Sequence, residues 1–240
     1  VGFIPIDGYD LVPHCIDYFA DGYLHPNDLG FWSMAKVLIC VPCMDQVAAL
    51  FAQSLALLQK KGHETAIDFK IGSLVYDSRN QLAKKAIEMG ADYTLWLDSD
   101  MAFPPDTLFK LLEADKDIVS GMYFRRSPPY SLVAFSKCDP PKKEWADQAV
   151  PDKLATTEAV GFGCVLIKTQ VLVDVAEQFA TWFEPMNGFG EDLSFCWRAR
   201  ECGYDILLDP TVTCGHVGHI VVNEDFYKAY AEGKKDEGIG

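Results

Sequence analysis

Apolar residues in this chain fall into short blocks of two kinds, and their alternation predicts the fold. Runs at 36–41, 65–71, 93–97, 117–123, 161–168 and 205–208 have the length and apolar content of strands. A run as continuous as Tyr93-Thr94-Leu95-Trp96-Leu97 is the signature of a strand buried on both faces. Longer segments with helical character lie between them, at 46–61, 77 or 78 to 89, 104–113, 169–179 and 191–202. Their ends carry the expected punctuation. Asp45 and Asp77 or Ser78 stand at candidate N-caps, Pro104-Pro105 opens a helix, and Gly62, Gly90 and Gly203 close others. Strands alternating with helices predict an α/β fold: a single Rossmann-like domain with a mostly parallel central sheet and helices on both faces.

The pattern also marks where that domain stops. Residues 1–33 are rich in Gly, Pro, Asp and aromatics without a sustained period, and read as an irregular N-terminal extension. The domain proper is expected over 34–222. A C-terminal helix and a charged, Gly-rich tail are expected over 223–240. Between 125 and 159 the periodicity fades into Pro, Lys and Asp, which predicts a long loop region.

Composition narrows the function more than the fold. At 240 residues the chain is long enough for one α/β domain with a sizeable core. Its formal net charge of −14 argues against a broad nucleic-acid surface, which needs basic residues, but leaves room for a nucleotide in a local site. No segment reaches the roughly 18–20 consecutive apolar residues of a membrane span. The first residues lack a basic, then apolar, signal pattern, so the expected location is cytoplasmic. The eight cysteines are scattered through apolar runs and read as reduced, small hydrophobes.

Four groups of residues could carry chemistry. Asp98-Ser99-Asp100, a DXD sequence, follows the most apolar strand. In extended chain its two carboxylates project together, at the sheet edge where α/β proteins bind ligands. There they can hold a hard divalent cation and, through it, a diphosphate; alone, the same residues read equally as a turn. Glu191-Asp192 opens a helix after the pliable Gly188-Phe189-Gly190. Its carboxylates are expected to stay ionised and to suit a general base, although acidic residues there also serve as simple capping. Cys214-Gly215-His216-Val217-Gly218-His219 offers a metal ligand or phosphate contact among glycines. Ser78-Arg79-Asn80 at a helix start and Arg125-Arg126 after a strand are candidate anion contacts, or surface ion-pair partners.

Taken in order, these pieces resemble a glycosyltransferase of the GT-A fold, close to the family 2 type. The resemblance covers roughly 36–218. It rests on a first strand ending in Val-Pro, then Ser-Arg-Asn, Leu-Trp-Leu-Asp-Ser-Asp-Met with Phe-Pro following, and Gly-Met-Tyr-Phe-Arg-Arg. Val-Gly-Phe-Gly-Cys-Val-Leu-Ile, Gly-Glu-Asp-Leu-Ser-Phe-Cys and Cys-Gly-His complete it. The resemblance implies a metal-dependent hexosyl- or pentosyltransferase that moves a sugar from a nucleotide-linked donor, expected to be UDP-linked, to an acceptor hydroxyl with inversion. It implies Asp98, Asp100 and His216 (or His219) around Mn²⁺ or Mg²⁺. Asp192, or Glu191, becomes the general base, and Pro42, Arg79, Asp98, Ser99 and Arg126 lie at the donor. Gly161, Phe162, Gly163, Trp182 and Phe183 line the sugar and acceptor side.

The chain departs from that family in two places. The first strand runs into Pro42-Cys43-Met44-Asp45 rather than a polar turn, and the second strand carries only Asp68 where an Asp-Asp-Gly-Ser signature is common. Three rival readings follow from other features. Cys40-Val41-Pro42-Cys43 between a strand and a helix is the arrangement of a thioredoxin-like thiol oxidoreductase. Cys196, Cys202, Cys214, His216 and His219 could form a structural zinc site, although their spacings do not match paired ligand sets. A catalytically inactive sugar-nucleotide-binding protein would share the architecture.

Overall fold

The computed structural model of the protein describes residues 34–218, in which strands and helices alternate as the apolar blocks predict. In chain order the strands are β1 (Lys36–Cys43), β2 (Glu64–Ile71), β3 (Tyr93–Leu97), β4 (Met101–Ala102), β5 (Ile118–Met122) and β6 (Ala134–Asp139). They continue with β7 (Glu144–Asp147), β8 (Ala155–Thr157), β9 (Ala159–Val160), β10 (Cys164–Lys168), β11 (Ile206–Thr213) and β12 (Gly215–His216). The helices are α1 (Ala49–Leu57), α2 (Val75–Glu88), α3 (Thr107–Glu113), α4 (Thr169–Phe179) and α5 (Glu191–Glu201).

Seven strands form the central sheet in the order β2-β1-β3-β10-β5-β11-β8. Strands β2, β1, β3, β5 and β11 run one way, and β10 and β8 run against them, so the sheet is mostly parallel. Alternate residues of each strand point to opposite faces. Leu38, Cys40, Trp96, Val165, Ile167, Ile206 and Leu208 face a core completed by Leu82, Ala83 and Ala86 of α2, Val171, Leu172 and Val175 of α4, and Phe195, Cys196 and Ala199 of α5. Val37, Ile39, Val41, Leu95, Leu97, Leu166 and Val212 face the other way, onto Phe51 of α1 and Leu108, Leu111 and Leu112 of α3. Each fully buried Leu, Ile or Phe in these layers contributes roughly 1.5–3 kcal/mol.

Three sequence expectations change. The helix expected over 46–61 shortens to Ala49–Leu57, and Asp45 does not cap it; Ala48 is the N-cap residue, and its N–H bonds the Ser99 carbonyl at 2.9 Å. Helix α2 begins at Val75, so Asp77 and Ser78 lie inside its first turns and Arg79 is an interior helical residue rather than a neighbour of free amides. The loop expected over 125–159 contains strands. β7, β6 and β9 form a separate antiparallel sheet, and β8 adds an edge to the main one. Their periodicity is faint because these strands are two to six residues long and β7 is exposed throughout. An antiparallel sheet wetted on one face tolerates the Lys, Glu and Asp that mask it in sequence. The extension over 1–33, His219 and the C-terminal helix and tail lie outside the described residues.

The sheet delivers its carboxyl ends to one edge. β3 stops at Leu97, and a turn closed by Met101 N–H to the Asp98 carbonyl (3.1 Å) leads into β4. β12 pairs with β4 so that His216 lies opposite Met101, and Val217 N–H bonds the Asp100 carbonyl at 2.8 Å. That small ribbon carries the end of β11 back to the end of β3.

Candidate active site

The carboxylates at this edge come from two elements that are far apart in sequence. Asp98 and Asp100 sit on the turn after β3; Glu191 and Asp192 sit in the first turn of α5. The N-cap of α5 is Gly190, where a Cβ would sit 2.8 Å from Asp192 Oδ1. The Ser194 hydroxyl locks this corner, donating to the Gly190 carbonyl at 2.8 Å and accepting from Met186 N–H at 3.0 Å.

Arg79 joins the two carboxylate pairs. Its guanidinium donates to Asp98 Oδ1 at 2.8 Å and to Glu191 Oε1 at 2.5 Å, while its side chain is only 3% exposed. It lies over the ring of Phe162, 5.1 Å from the centroid, and its Nε–H has no partner among the described residues. A second cation serves the second aspartate. Arg126 Nη1 meets Asp100 Oδ2 at 2.5 Å and also donates to the Val217 carbonyl at 3.3 Å. His216 Nε2 stands 3.5 Å from that same oxygen. The other ring nitrogen, Nδ1, donates to the Phe124 carbonyl at 3.0 Å, which fixes the ring and leaves Nε2 facing Asp100.

Extended geometry ends at Leu97, so Asp98 and Asp100 do not share partners as an extended strand predicts; each has its own arginine. Their electrostatics diverge accordingly. Loss of solvation raises Asp98 above the ordinary carboxylate value even though Arg79 works downward. For Asp100 loss of solvation also works upward, but the His216 hydrogen bond and the charges of His216 and Arg126 outweigh it and hold it below that value. His216 is raised, first by its hydrogen bond to Asp100. Asp192 is pushed up to about 6, chiefly by burial, with Arg79 opposing and Glu191 adding. The helix terminus therefore does not hold Asp192 in the ordinary carboxylate range; it remains mostly ionised at pH 7 and is poised to take a proton.

Of the remaining predicted residues, Ser99 lies in the turn and Pro42 is buried in β1 one residue before its carboxyl end. Phe162 and Phe183 belong to the core rather than to a sugar-facing wall. Phe183 stacks on Phe195 at 4.7 Å, and Phe162 packs edge-on against Phe183 at 5.2 Å and Trp96 at 5.8 Å. Both side chains are essentially without exposed surface. Trp182 is partly buried, with its Nε1–H donating to the Leu172 carbonyl at 2.7 Å. Gly161 and Gly163 are small for a different reason from ligand access. A Cβ on Gly161 would overlap Tyr123 Oη, and one on Gly163 would sit 2.8 Å from Tyr123 Cζ.

Tyr123 is the residue that sequence reasoning missed. Its Oη accepts the Gly163 N–H at 3.1 Å, and its ring packs edge-on against His216 at 5.6 Å. Burial, then the charges of Asp98 and Asp192, push its hydroxyl well above the usual value. The glycine–aromatic–glycine sequence at 161–163 is the available signal, because two missing side chains imply a bulky neighbour.

The two cysteine-based rival readings lose their geometry. Strand β1 runs through both Cys40 and Cys43, so the two thiols, three residues apart, point to opposite faces of the sheet. Cys40 is buried and pushed well up by desolvation, the opposite of an activated thiolate. Cys196 donates to the Val160 carbonyl and Cys202 to Gln178, so the two do not converge on a common site. Among the described residues no group of three or more His, Cys, Asp or Glu side chains is arranged to hold a metal ion; Asp100 and His216 offer a pair.

No protein-family model and no curated protein sequence matches the chain. Solved structures do. The crystal structure of A197 from STIV aligns with 78% of this chain and 87% of its own, at 19% identity and a TM-score of 0.56. A crystal structure of GalNAc-T7 with UDP, GalNAc and Mn²⁺ aligns with 81% of this chain at 10% identity and a TM-score of 0.56, and the match spans 47% of that longer chain. At such identities the likeness is one of fold, and that fold is GT-A-like.

Proposed function

We propose that the protein is a metal-dependent glycosyltransferase that moves a sugar from a nucleoside-diphosphate donor, UDP-linked by preference, to an acceptor hydroxyl with inversion. The observation that carries this reading is the convergence of Asp98, Asp100 and His216 with the Glu191-Asp192 pair at one sheet edge, Arg79 joining Asp98 to Glu191. Support also comes from a GT-A-like fold and from a structural neighbour determined with UDP, GalNAc and Mn²⁺.

In this reading Asp100 Oδ2 and His216 Nε2 hold Mn²⁺ (or Mg²⁺). Two cis ligands about 2.1 Å from one ion lie about 3 Å apart, close to the 3.5 Å found between these atoms. Two protein donors would leave such an ion open to a diphosphate, and the imidazole would favour Mn²⁺ over Mg²⁺. Once bound, the cation supplies Lewis-acid neutralisation of the leaving diphosphate. Asp98 and Ser99 face the nucleotide, with Pro42 beside it. Arg79 holds Asp98 in place and shares its positive charge with Glu191. Asp192 takes the proton of the acceptor hydroxyl onto a carboxylate oxygen. The freed alkoxide attacks the anomeric carbon from the side opposite the diphosphate, which departs with the bonding electrons. Gly161 and Gly163 shape the acceptor side by admitting Tyr123 beneath it.

Nucleotide release from a panel of sugar nucleotides with Mn²⁺, Mg²⁺ or EDTA, for wild type and Asp100→Ala, tests the proposal. Metal-dependent turnover of one donor, lost in the variant, supports it. Donor binding without turnover favours an inactive binding protein, and silence in both binding and turnover sinks the assignment.

A further inference from the structure

The two arginines at the DXD turn are not equivalent. Arg79 is 3% exposed, bridges β3 to α5 and sits among three carboxylates, so it cannot leave without stranding buried charge. Arg126 is 53% exposed and reaches Asp100 from the connection that follows β5. That connection is closed by Arg125 N–H to the Ser131 carbonyl (2.9 Å) and Tyr130 N–H to the Ser127 carbonyl (2.9 Å). The stem of Arg126 lies along the end of β12, where a Cβ on Gly218 would sit 3.3 Å from Arg126 Cβ. Its head group meets Asp100 Oδ2, the oxygen that also faces His216 Nε2. A cation held by Asp100 and His216 would have to share that oxygen with a guanidinium already 2.5 Å away. Like charges at such range repel, and Arg126, the more exposed of the two arginines and tied besides only to the Val217 carbonyl at 3.3 Å, is the one that can move.

We propose that Arg126 is an exchangeable counter-ion: it occupies Asp100 in the metal-free protein, is displaced when a divalent cation enters, and then binds the diphosphate that arrives with it. This rests on the glycosyltransferase reading and adds a coupling to it. Metal alone has to displace Arg126, whereas metal with a nucleoside diphosphate offers the released guanidinium a new anionic partner. Arginine suits that second role because its fork matches phosphate oxygens. The same residue therefore opposes the cation in one state and assists it in the other.

Arg126→Gln separates the two effects. Free Mn²⁺ is followed by electron paramagnetic resonance during titration of wild type and variant, first with MnCl₂ alone and then with uridine diphosphate added. The variant should bind Mn²⁺ alone about two- to fivefold more tightly, the range for loss of a partly exposed ion-pair competitor. With uridine diphosphate present the order should reverse, the variant holding the metal–nucleotide pair more weakly. Arg126→Lys, which keeps the charge but not the fork, should fall between wild type and the glutamine variant in both titrations. A mere loss of structure weakens both titrations together, and matched thermal melts identify it. Equal Mn²⁺ affinity in wild type and variant, with intact nucleotide-dependent binding, overturns the exchange and leaves the glycosyltransferase reading standing. Absence of saturable Mn²⁺ binding in every protein, with or without uridine diphosphate, overturns both.

Discussion

Asp192→Asn should make the protein more stable and less active, by an amount that depends on pH. Asp192 is raised from the ordinary carboxylate value to about 6. The distance of that value from the ordinary carboxylate range corresponds to about 3 kcal/mol between its charged and neutral forms. The group is partly exposed, so about half of that, 1–2 kcal/mol, is a fair expectation for the whole site. The folded protein binds this proton more tightly than the unfolded chain. The corresponding stability is therefore fully present below about pH 4 and is lost as pH rises through about 6. Asparagine never carries the charge, and its Oδ1 can still accept the Leu193 N–H that Asp192 accepts at 2.8 Å. At pH 8 the variant should melt about 2–8 °C above wild type, given roughly 2–4 °C per kcal/mol for a domain of this size. The gap should close towards pH 4, and donor turnover should fall at least a hundredfold, the usual scale for a lost general base. Circular-dichroism melts from pH 4 to 8 measure the first effect. A variant that melts at or below wild type at pH 8, or a gap that does not narrow in acid, refutes the argument that burial of Asp192 is a cost borne for chemistry.

Two further substitutions probe the supports of the site. Arg79→Met leaves Asp98 and Glu191 without their shared cation and should cost about 3 kcal/mol in urea denaturation at pH 7, with a smaller loss at pH 5 as Asp98, already raised by burial, takes up a proton. Gly163→Ala forces a Cβ to within 2.8 Å of Tyr123 Cζ and 3.0 Å of Met101 Sδ, so it should cost about 1–3 kcal/mol by thermal denaturation, and unchanged stability would mean that Tyr123 does not pack against that position.

How much of this could be read in the sequence depended on how each residue earns its place. Strands such as β1 and β3 are buried on both faces, so nearly every residue in Val37–Val41 and Thr94–Leu97 is apolar and the elements announce themselves. Strands β6 and β7 carry Ser136, Lys137, Glu144 and Asp147 on wetted positions, so they resembled a loop. The carboxylates were legible only as a set: each pair alone reads as a turn or a helix start, and it was their order along the chain with the other motifs that resembled a site. Their partners were not. That Arg79 spans from α2 to both Asp98 and Glu191 depends on a helix that starts three residues earlier than its polar residues suggest. Phe162 and Phe183 misled in the opposite direction: Phe162 between two glycines and Phe183 beside Trp182 read as sugar-facing aromatics, yet both rings are buried in the core. Tyr123 was missed because the signal for it lies elsewhere in the chain, in the side chains that Gly161 and Gly163 lack.

The charges at this edge also say why the proposed chemistry calls for a metal. Four carboxylates, Asp98, Asp100, Glu191 and Asp192, stand against two guanidiniums, Arg79 and Arg126, on a chain of net charge −14. With His216 neutral, two negative charges are left over. A diphosphate brings more of the same sign into a partly desolvated place, where repulsion is weakly screened. Arg79 is committed to Asp98 and Glu191, and Arg126 to Asp100, so neither is free to meet the diphosphate while those contacts hold. On the proposed reading, a divalent cation held by Asp100 and His216 would cancel the surplus and leave Arg126 to the donor. If the glycosyltransferase proposal holds, the charge balance at this edge would favour an anionic sugar donor that arrives with its metal over one that arrives alone.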